Sequence, residues 1–276
     1  MNHDLRVAIV QMGSGPDWAE NRAKAVRLIR DAAARGAQLI VLPELWGCYG
    51  PLAKAVEQAE SIPGPTADLF ADLAVLLGVV LCAGSLPERC RSNGKAWNTS
   101  IVFNALGAEI AKYRKRHLFD ANLPPAGDRS GAQRLRESDS MLAGGDICTF
   151  SALDTTFGLA ICYDLRFPEL FREHSKRGAE VLLLPAAFTH TTGRDHWHVL
   201  LRARAIENQC FVVAANQGGE HPGGLRSYGH SLIIDPWGEI LAELPGEEEG
   251  VIAATLSAQR LAEVRSRLPA LKHRRD

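Results

Sequence analysis

The chain has 276 residues, 46% of them hydrophobic, and a formal net charge of −1. That length suffices for one large core or two small ones. The balanced charge excludes a global field that would draw the protein to nucleic acid or to a membrane.

No apolar stretch approaches the length of a bilayer span. The first residues lack the basic and apolar regions of a secretory leader, so a cytoplasmic protein is expected. In chain order, residues 5–10 read as a strand. Residues 17–35 read as a helix, with Arg22, Val26, Ile29 and Ala33 on one stripe and Gly36 as its stop. Residues 37–42 form a near-continuous apolar run, the kind of strand buried on both faces. A helix over 66–77, capped by Thr66, precedes strands over 79–85 and 98–104.

The segment 117–145 is rich in Gly, Pro, Ser and charge and has no clear period. A connection this long inside a compact domain is usually functional or disordered. The alternation then returns: strand 157–163, helix 168–177, strand 179–184, helix 193–208, strands 210–215, 229–235 and 250–256, and helix 257–267. Alternating elements without repeats or a low-complexity linker predict a single α/β domain over 1–276, its sheets covered by helices. The layout also fits two sheets packed face to face. The tail from about 257 is expected to serve packing or subunit contacts.

Three residues carry the chemistry. An apolar strand delivers Cys162 to an abrupt polar turn, Tyr163-Asp164-Leu165-Arg166-Phe167-Pro168, that leads into a helix. A thiol near a helix N-terminus is expected to ionise more easily and to lie beside free backbone N–H groups. Glu44 ends the run Val41-Leu42-Pro43-Glu44 and is followed by Leu45 and Trp46. A carboxylate between apolar residues can act as a general base near neutrality. Lys115 lies in the basic run 112–116, which taken alone reads as a solvated strand end. Together the thiol, carboxylate and ammonium are the parts of a covalent hydrolase.

The other cysteines (Cys48, Cys82, Cys90, Cys148 and Cys210) are scattered, with no C-x-x-C pair, and read as small buried hydrophobes or plain thiols. His190, His196 and His198 invite a metal-site reading. However, residues two apart on a helix point apart, and no H-E-x-x-H or Cys/His set completes it, so no metal is expected. G-x-G-x-x-G, P-loop and G-x-S-x-G motifs are missing, which disfavours a nucleotide site and a serine triad.

Leu42-Pro43-Glu44, Tyr113-Arg114-Lys115-Arg116-His117-Leu118-Phe119-Asp120 and Ile161-Cys162-Tyr163-Asp164-Leu165-Arg166-Phe167-Pro168 resemble, in order, the three signatures of the nitrilase, or carbon–nitrogen hydrolase, superfamily. The resemblance runs from Leu5 to Arg275. It implies a four-layer αββα sandwich, commonly paired as αββααββα, and a Cys–Glu–Lys site assisted by a second glutamate, carried over here to Glu137. Tyr163-Asp164 after the cysteine, where true nitrilases place Trp-Glu, resembles the amidase branch. So do the runs 191–197, 201–209, 228–231 and 235–238 and the C-terminal run 268–275. The branch includes omega-amidases and deaminated glutathione amidases.

The resemblance implies a cofactor-free cysteine amidase acting on a small carboxylate-bearing amide through a thioester. Glu44 would serve as base and then acid, with Lys115 and the Tyr163 N–H holding the oxyanion. Tyr163, Arg166, Arg194 and His190 are the candidate substrate contacts. Arg194 is placed in the first turn of its helix, whose dipole favours an anion. Arg166 has a second reading, as a brace pairing with Asp164 or Glu169. A homodimer or larger even homo-oligomer is expected. The rival within the superfamily is an N-carbamoyl amino acid amidohydrolase; outside it, an inert scaffold of the same fold.

Overall fold

The structure is a computed structural model and describes residues 1–91, 93–123 and 133–275. The first half runs β1 (Leu5–Gln11), α1 (Trp18–Ala34), β2 (Leu39–Val41), α2 (Leu52–Glu57), α3 (Pro65–Leu77), β3 (Val80–Cys82), β4 (Leu86–Arg89), β5 (Ala96–Phe103), β6 (Glu109–Arg114), β7 (Asp120–Leu123), β8 (Gln133–Arg136) and β9 (Met141–Leu142). The second half runs β10 (Thr149–Ala152), β11 (Thr155–Leu159), α4 (Pro168–Lys176), β12 (Val181–Ala186), α5 (His190–Asn208), β13 (Phe211–Asn216), β14 (Gly218–His221), β15 (Leu225–Tyr228), β16 (Ser231–Ile234), β17 (Ile240–Leu244), β18 (Gly250–Leu256) and α6 (Ala258–Arg267).

Two sheets result. One has the order β18-β1-β2-β3-β5-β4, with β6 and β9 also paired to β5; the other has the order β10-β11-β12-β13-β16-β17. The centre of each is parallel, β1-β2-β3 and β11-β12-β13, and antiparallel strands flank it.

Alternation along the strands explains the layers. Val7, Ile9, Leu39, Val41, Val80 and Cys82 point into a core shared with Phe157, Leu183, Val213 and Ile233 of the second sheet. Their neighbours Ala8, Val10, Ile40, Leu42 and Leu81 point the other way, onto Ala25, Leu28 and Ile29 of α1 and Phe70 and Leu73 of α3. The far side of the second sheet is covered by Phe171 of α4 and by Trp197, Leu201 and Ala205 of α5. This is the αββα sandwich.

Several local expectations are corrected. The buried stripe of α1 is Asn21, Ala25, Leu28, Ile29 and Ala32, not the one through Arg22, which is exposed. The reason is Asn21, whose amide donates to the carbonyls of Gly15 (2.9 Å) and Gly47 (2.8 Å) and so faces inward. Thr66 does not cap α3. Gly64 is the cap, Pro65 opens the helix, and the Glu60 carboxylate accepts from the Thr66 N–H and hydroxyl. In 117–145 the chain forms β7, β8, β9 and a 3-10 turn (Glu137–Asp139) instead of a plain loop; residues 124–132 lie outside the described residues. The tail packs inward: Leu261 and Val264 are buried, and Arg265 donates to the carbonyls of Gln209 and Ala179.

Candidate active site

The site forms beyond the carboxyl ends of the parallel strands, the usual ligand position in open α/β sheets. Glu44 follows β2, Cys162 follows β11, and Ala187 follows β12. Lys115 comes from the end of β6, where Ala111, Tyr113 and Lys115 share the inward register. Glu137 opens the 3-10 turn after β8. Glu44, Lys115, Glu137 and Cys162 are exposed by only 3%, 2%, 4% and 7%.

The charges interlock. Lys115 Nζ donates to Glu44 Oε1 at 2.9 Å and to Glu137 Oε2 at 2.8 Å. Glu44 Oε2 accepts the Ala187 N–H at 2.9 Å, and Glu137 Oε2 accepts the Phe119 N–H at 2.6 Å. The backbone of Glu44 is pinned as well, by the Ala186 carbonyl (3.2 Å) and the Gln217 amide (2.9 Å). Leu45 then turns at φ 46°, its N–H donating to Ser85 Oγ at 3.0 Å.

Cys162 also sits at a positive φ, 46°. This left-handed backbone is costly for a side chain with a Cβ, and it persists only where the surroundings hold it. Asp164 holds it, accepting from the Ile161 N–H (2.9 Å), the Tyr113 hydroxyl (2.7 Å), and the N–H (3.0 Å) and Nδ1 (2.7 Å) of His117. Arg204 adds two bonds to the Leu165 carbonyl at 3.1 and 2.8 Å.

The thiol lies among the Glu44 carboxylate, the Lys115 ammonium and the Ala187 N–H. Burial pushes its pKa well up, the Glu44 charge adds to this, and Lys115 opposes it. This corrects the expectation of a helix-lowered thiol. Cys162–Arg166 is one 3-10 turn, and α4 starts only at Pro168, so no helix dipole acts on the sulfur. The raised pKa favours the protonated thiol. Burial alone would lower the Lys115 pKa, but Glu137, Glu44 and Cys162 outweigh it and hold the ammonium charged. Glu137 is raised by burial and by Glu44, against Lys115.

A cavity of about 570 Å³ opens onto these groups, lined also by Tyr49, Phe119, Tyr163, Arg166, Phe188 and Thr192. The Arg166 guanidinium lies 5.0 Å from the Phe188 ring and its Nη1 is 3.3 Å from His196 Nδ1. Arg194 is not brought in: its side chain is 68% exposed and pairs with Asp195 at 2.9 Å. Helix α5 starts at His190, which moves Arg194 out of the first turn. Two residues past the inward Thr192 is about 200° around the helix. His190 also turns away, toward Glu247 (3.8 Å) and Tyr228.

Sequence reasoning missed Asn98, Asp164 as a strut, Tyr49 and Arg136, the last two also on the cavity wall. The signal for Asn98 was the polar run Asn98-Thr99-Ser100 inside an apolar strand. Among the described residues one group has metal-ligand geometry, His198, His230 and Glu243. There His230 Nε2 accepts the Gly246 N–H at 3.1 Å, which leaves the proton on Nδ1, facing Glu243 Oε1 at 2.5 Å. The trio is closed by its own hydrogen bonds, since no lone pair of His230 is left for an ion.

The family model described as carbon-nitrogen hydrolase matches residues 6–266. The deaminated glutathione amidase of Synechocystis sp. is 42% identical over 270 residues, covering 97% of each chain. The omega-amidase NIT2-B of Xenopus laevis is 39% identical over 275 residues, 99% of this chain and 95% of that one. The crystal structure of the C. elegans NitFhit protein superimposes with a TM-score of 0.90 at 36% identity; 99% of this chain is covered, but it spans only 65% of that protein. The chain belongs to the carbon–nitrogen hydrolase family, as an enzyme of its amidase type.

Proposed function

We propose that the protein hydrolyses an amide bond of a small carboxylate-bearing substrate, an omega-amide of a dicarboxylic acid or deaminated glutathione, through a thioester on Cys162. The observation that carries this is the arrangement of Glu44, Lys115, Glu137 and Cys162 at the buried end of a cavity that Arg166 also lines. Glu44 takes the thiol proton as sulfur attacks the amide carbonyl. Lys115 and the Tyr163 N–H stabilise the oxyanion. The tetrahedral intermediate collapses, Glu44 returns the proton to the leaving nitrogen, and ammonia departs from an unsubstituted amide, or the dipeptide amine from deaminated glutathione. Water, deprotonated by Glu44, then cleaves the thioester, releasing the acid and restoring the thiol. Glu137 holds the Lys115 ammonium from the side opposite Glu44. None of these steps calls for a metal or an organic cofactor.

Ammonia release from succinic acid monoamide, beside a neutral amide of equal length, and release of the dipeptide amine from deaminated glutathione test the reading. Carbon dioxide released with ammonia would instead mark an N-carbamoyl amino acid amidohydrolase. A mass increase on Cys162 in a reaction quenched before the thioester is hydrolysed separates an enzyme from an inert scaffold. Unchanged rates after chelation are expected.

We further infer that the chain acts as one domain and assembles as a homodimer or larger even oligomer. Val199 and Ile206 on the outer face of α5, Trp237 beside them, and Ile240 and Leu241 on the edge strand β17 are all more than 40% exposed, an apolar patch that supports self-association. Its six cysteines are free thiols, which fits a reducing, cytoplasmic setting, and no helix among the described residues is long and apolar enough to cross a membrane.

A further inference from the structure

We propose that Asn98 is a positioning residue that holds the Glu44 carboxylate in its ionised form, ready to receive the Cys162 proton. The proposal rests on the amidase reading above.

Asn98 lies on β5, where Asn98, Ser100 and Val102 point toward the second sheet, and it is fully buried. It touches every charged group of the site. Its backbone carbonyl accepts the Lys115 N–H at 2.9 Å. Its side-chain nitrogen donates to Glu44 Oε1 at 2.7 Å and lies 3.3 Å from Glu137 Oε1. The amide orientation follows from its partners, because ionised carboxylates only accept. The consequence is an orphan: Asn98 Oδ1 is buried and meets no donor among the described residues. An apolar side chain would spare the fold that unpaired acceptor. What the position gains is the nitrogen.

The site needs that nitrogen because two buried carboxylates share one ammonium. Such a pair tends to retain a proton, and the environment decides where. The groups facing Glu44 are Lys115, Asn98 and the Ala187 N–H, which donate, and Glu137, Cys162 and Tyr49, whose negative forms would oppose its charge. Lys115 serves both carboxylates, one oxygen of Glu44 and both of Glu137, and Glu137 also accepts the Phe119 N–H, so Lys115 does not single out Glu44. Asn98 is asymmetric, with its short bond to Glu44 and its long one to Glu137. It therefore favours the ionised form of Glu44, the form that can receive the Cys162 proton.

The test is the pH dependence of two rates in wild type, Asn98→Leu and Asn98→Asp. One is alkylation of Cys162 by iodoacetamide, followed by intact mass with Cys162→Ala as background. The other is kcat/KM for succinic acid monoamide. Asn98→Leu is expected to move the acid limb of both profiles up by about one pH unit, with rates about tenfold lower on the acid side of both midpoints and converging on wild type above them. Asn98→Asp, which adds a third carboxyl, is expected to move it further. Far-UV circular dichroism checks the fold. If Asn98→Leu does not fold, Asn98→Ser, too short to bridge both carboxylates, is expected to give the same direction of shift. Limbs that superimpose on wild type, or a loss by one factor at every pH, would overturn the proposal and leave Asn98 a packing residue. Alkylation needs no amide substrate. A shifted alkylation limb without amide turnover would sink the amidase reading alone, and turnover with an unshifted limb would sink this inference alone.

Discussion

The Tyr113 hydroxyl donates to Asp164 Oδ2 at 2.7 Å, joining the strand that carries Lys115 to the turn that carries Cys162. Tyr113 belongs to the first sheet and Asp164 follows the second, so this bond spans the sandwich at the site. Burial and the Asp164 carboxylate raise the tyrosine pKa, and it stays a donor throughout the working range. Tyr113→Phe removes one bond to a buried carboxylate, which costs about 1.5–3 kcal/mol. We expect a lower melting temperature and a kcat reduced on the order of 10- to 100-fold, with KM little changed, because nucleophile and oxyanion donor lose their fixed spacing. Equilibrium unfolding together with steady-state kinetics reads both. A variant with native stability and kcat would show that the strut carries nothing.

Replacing the base isolates the thiol. Glu44→Gln keeps the shape but cannot take a proton, and loss of a general base costs about 100- to 10,000-fold in kcat. The pH dependence should change as well. Burial, the largest influence on Cys162, remains in this variant and still disfavours the thiolate. Iodoacetamide alkylation of Glu44→Gln should therefore be slow at neutral pH and still rising above the ordinary thiol range. Alkylation as fast as wild type at neutrality would mean that another group accepts the proton.

Glu137 sets a trade-off between stability and activity. Its pKa is raised in the folded state, by burial first and then by Glu44 against the pull of Lys115. A carboxyl of this kind binds its proton more tightly folded than unfolded. Its contribution is fully present below the unfolded value of about 4.3, and it is lost as pH rises through the folded value. Glu137→Gln is permanently neutral and escapes that loss. Thermal melts should show the variant gaining on wild type as pH rises, and the gap closing in acid. Turnover should fall, because Lys115 is then held from one side only. A melting difference that is flat with pH would mean that Glu137 stays ionised throughout.

The layers were legible because period-2 and near-continuous apolar strands and helical stripes are local signals. Glu44, Lys115 and Cys162 were legible because each ends a strand and sits in a recognisable run. What escaped depends on pairing between distant segments. β7 and β8 have little apolar pattern and exist by pairing with each other. Asn21 is inward because of two distant carbonyls, which no stripe reveals. The thiol's ionisation was misjudged because a 3-10 turn and an α-helix start look alike in sequence, while only the helix has a dipole of consequence. Arg194 was misplaced by a three-residue error at the start of α5, enough to send a side chain to the opposite face.

The position of Arg194 also bears on where the far carboxylate of the proposed substrate would be held. Arg166 lines the cavity, stacked near Phe188 and steadied by His196. It makes no ion pair with Asp164, whose bonds go to Ile161, Tyr113 and His117. An arginine on a cavity wall can meet a carboxylate with two parallel N–H donors. Arg166→Ala should raise KM for a carboxylate-bearing amide about 10- to 100-fold, in line with the loss of a charge-assisted hydrogen bond, and raise it far less for a neutral amide of equal length. Arg194→Ala, on the exposed face and paired with Asp195, should leave both substrates as they are in wild type. Measuring both amides on both variants decides the matter. An equal loss on the two amides for Arg166→Ala would make it a brace for the Cys162 turn, and a selective loss for Arg194→Ala would return the anchor to α5.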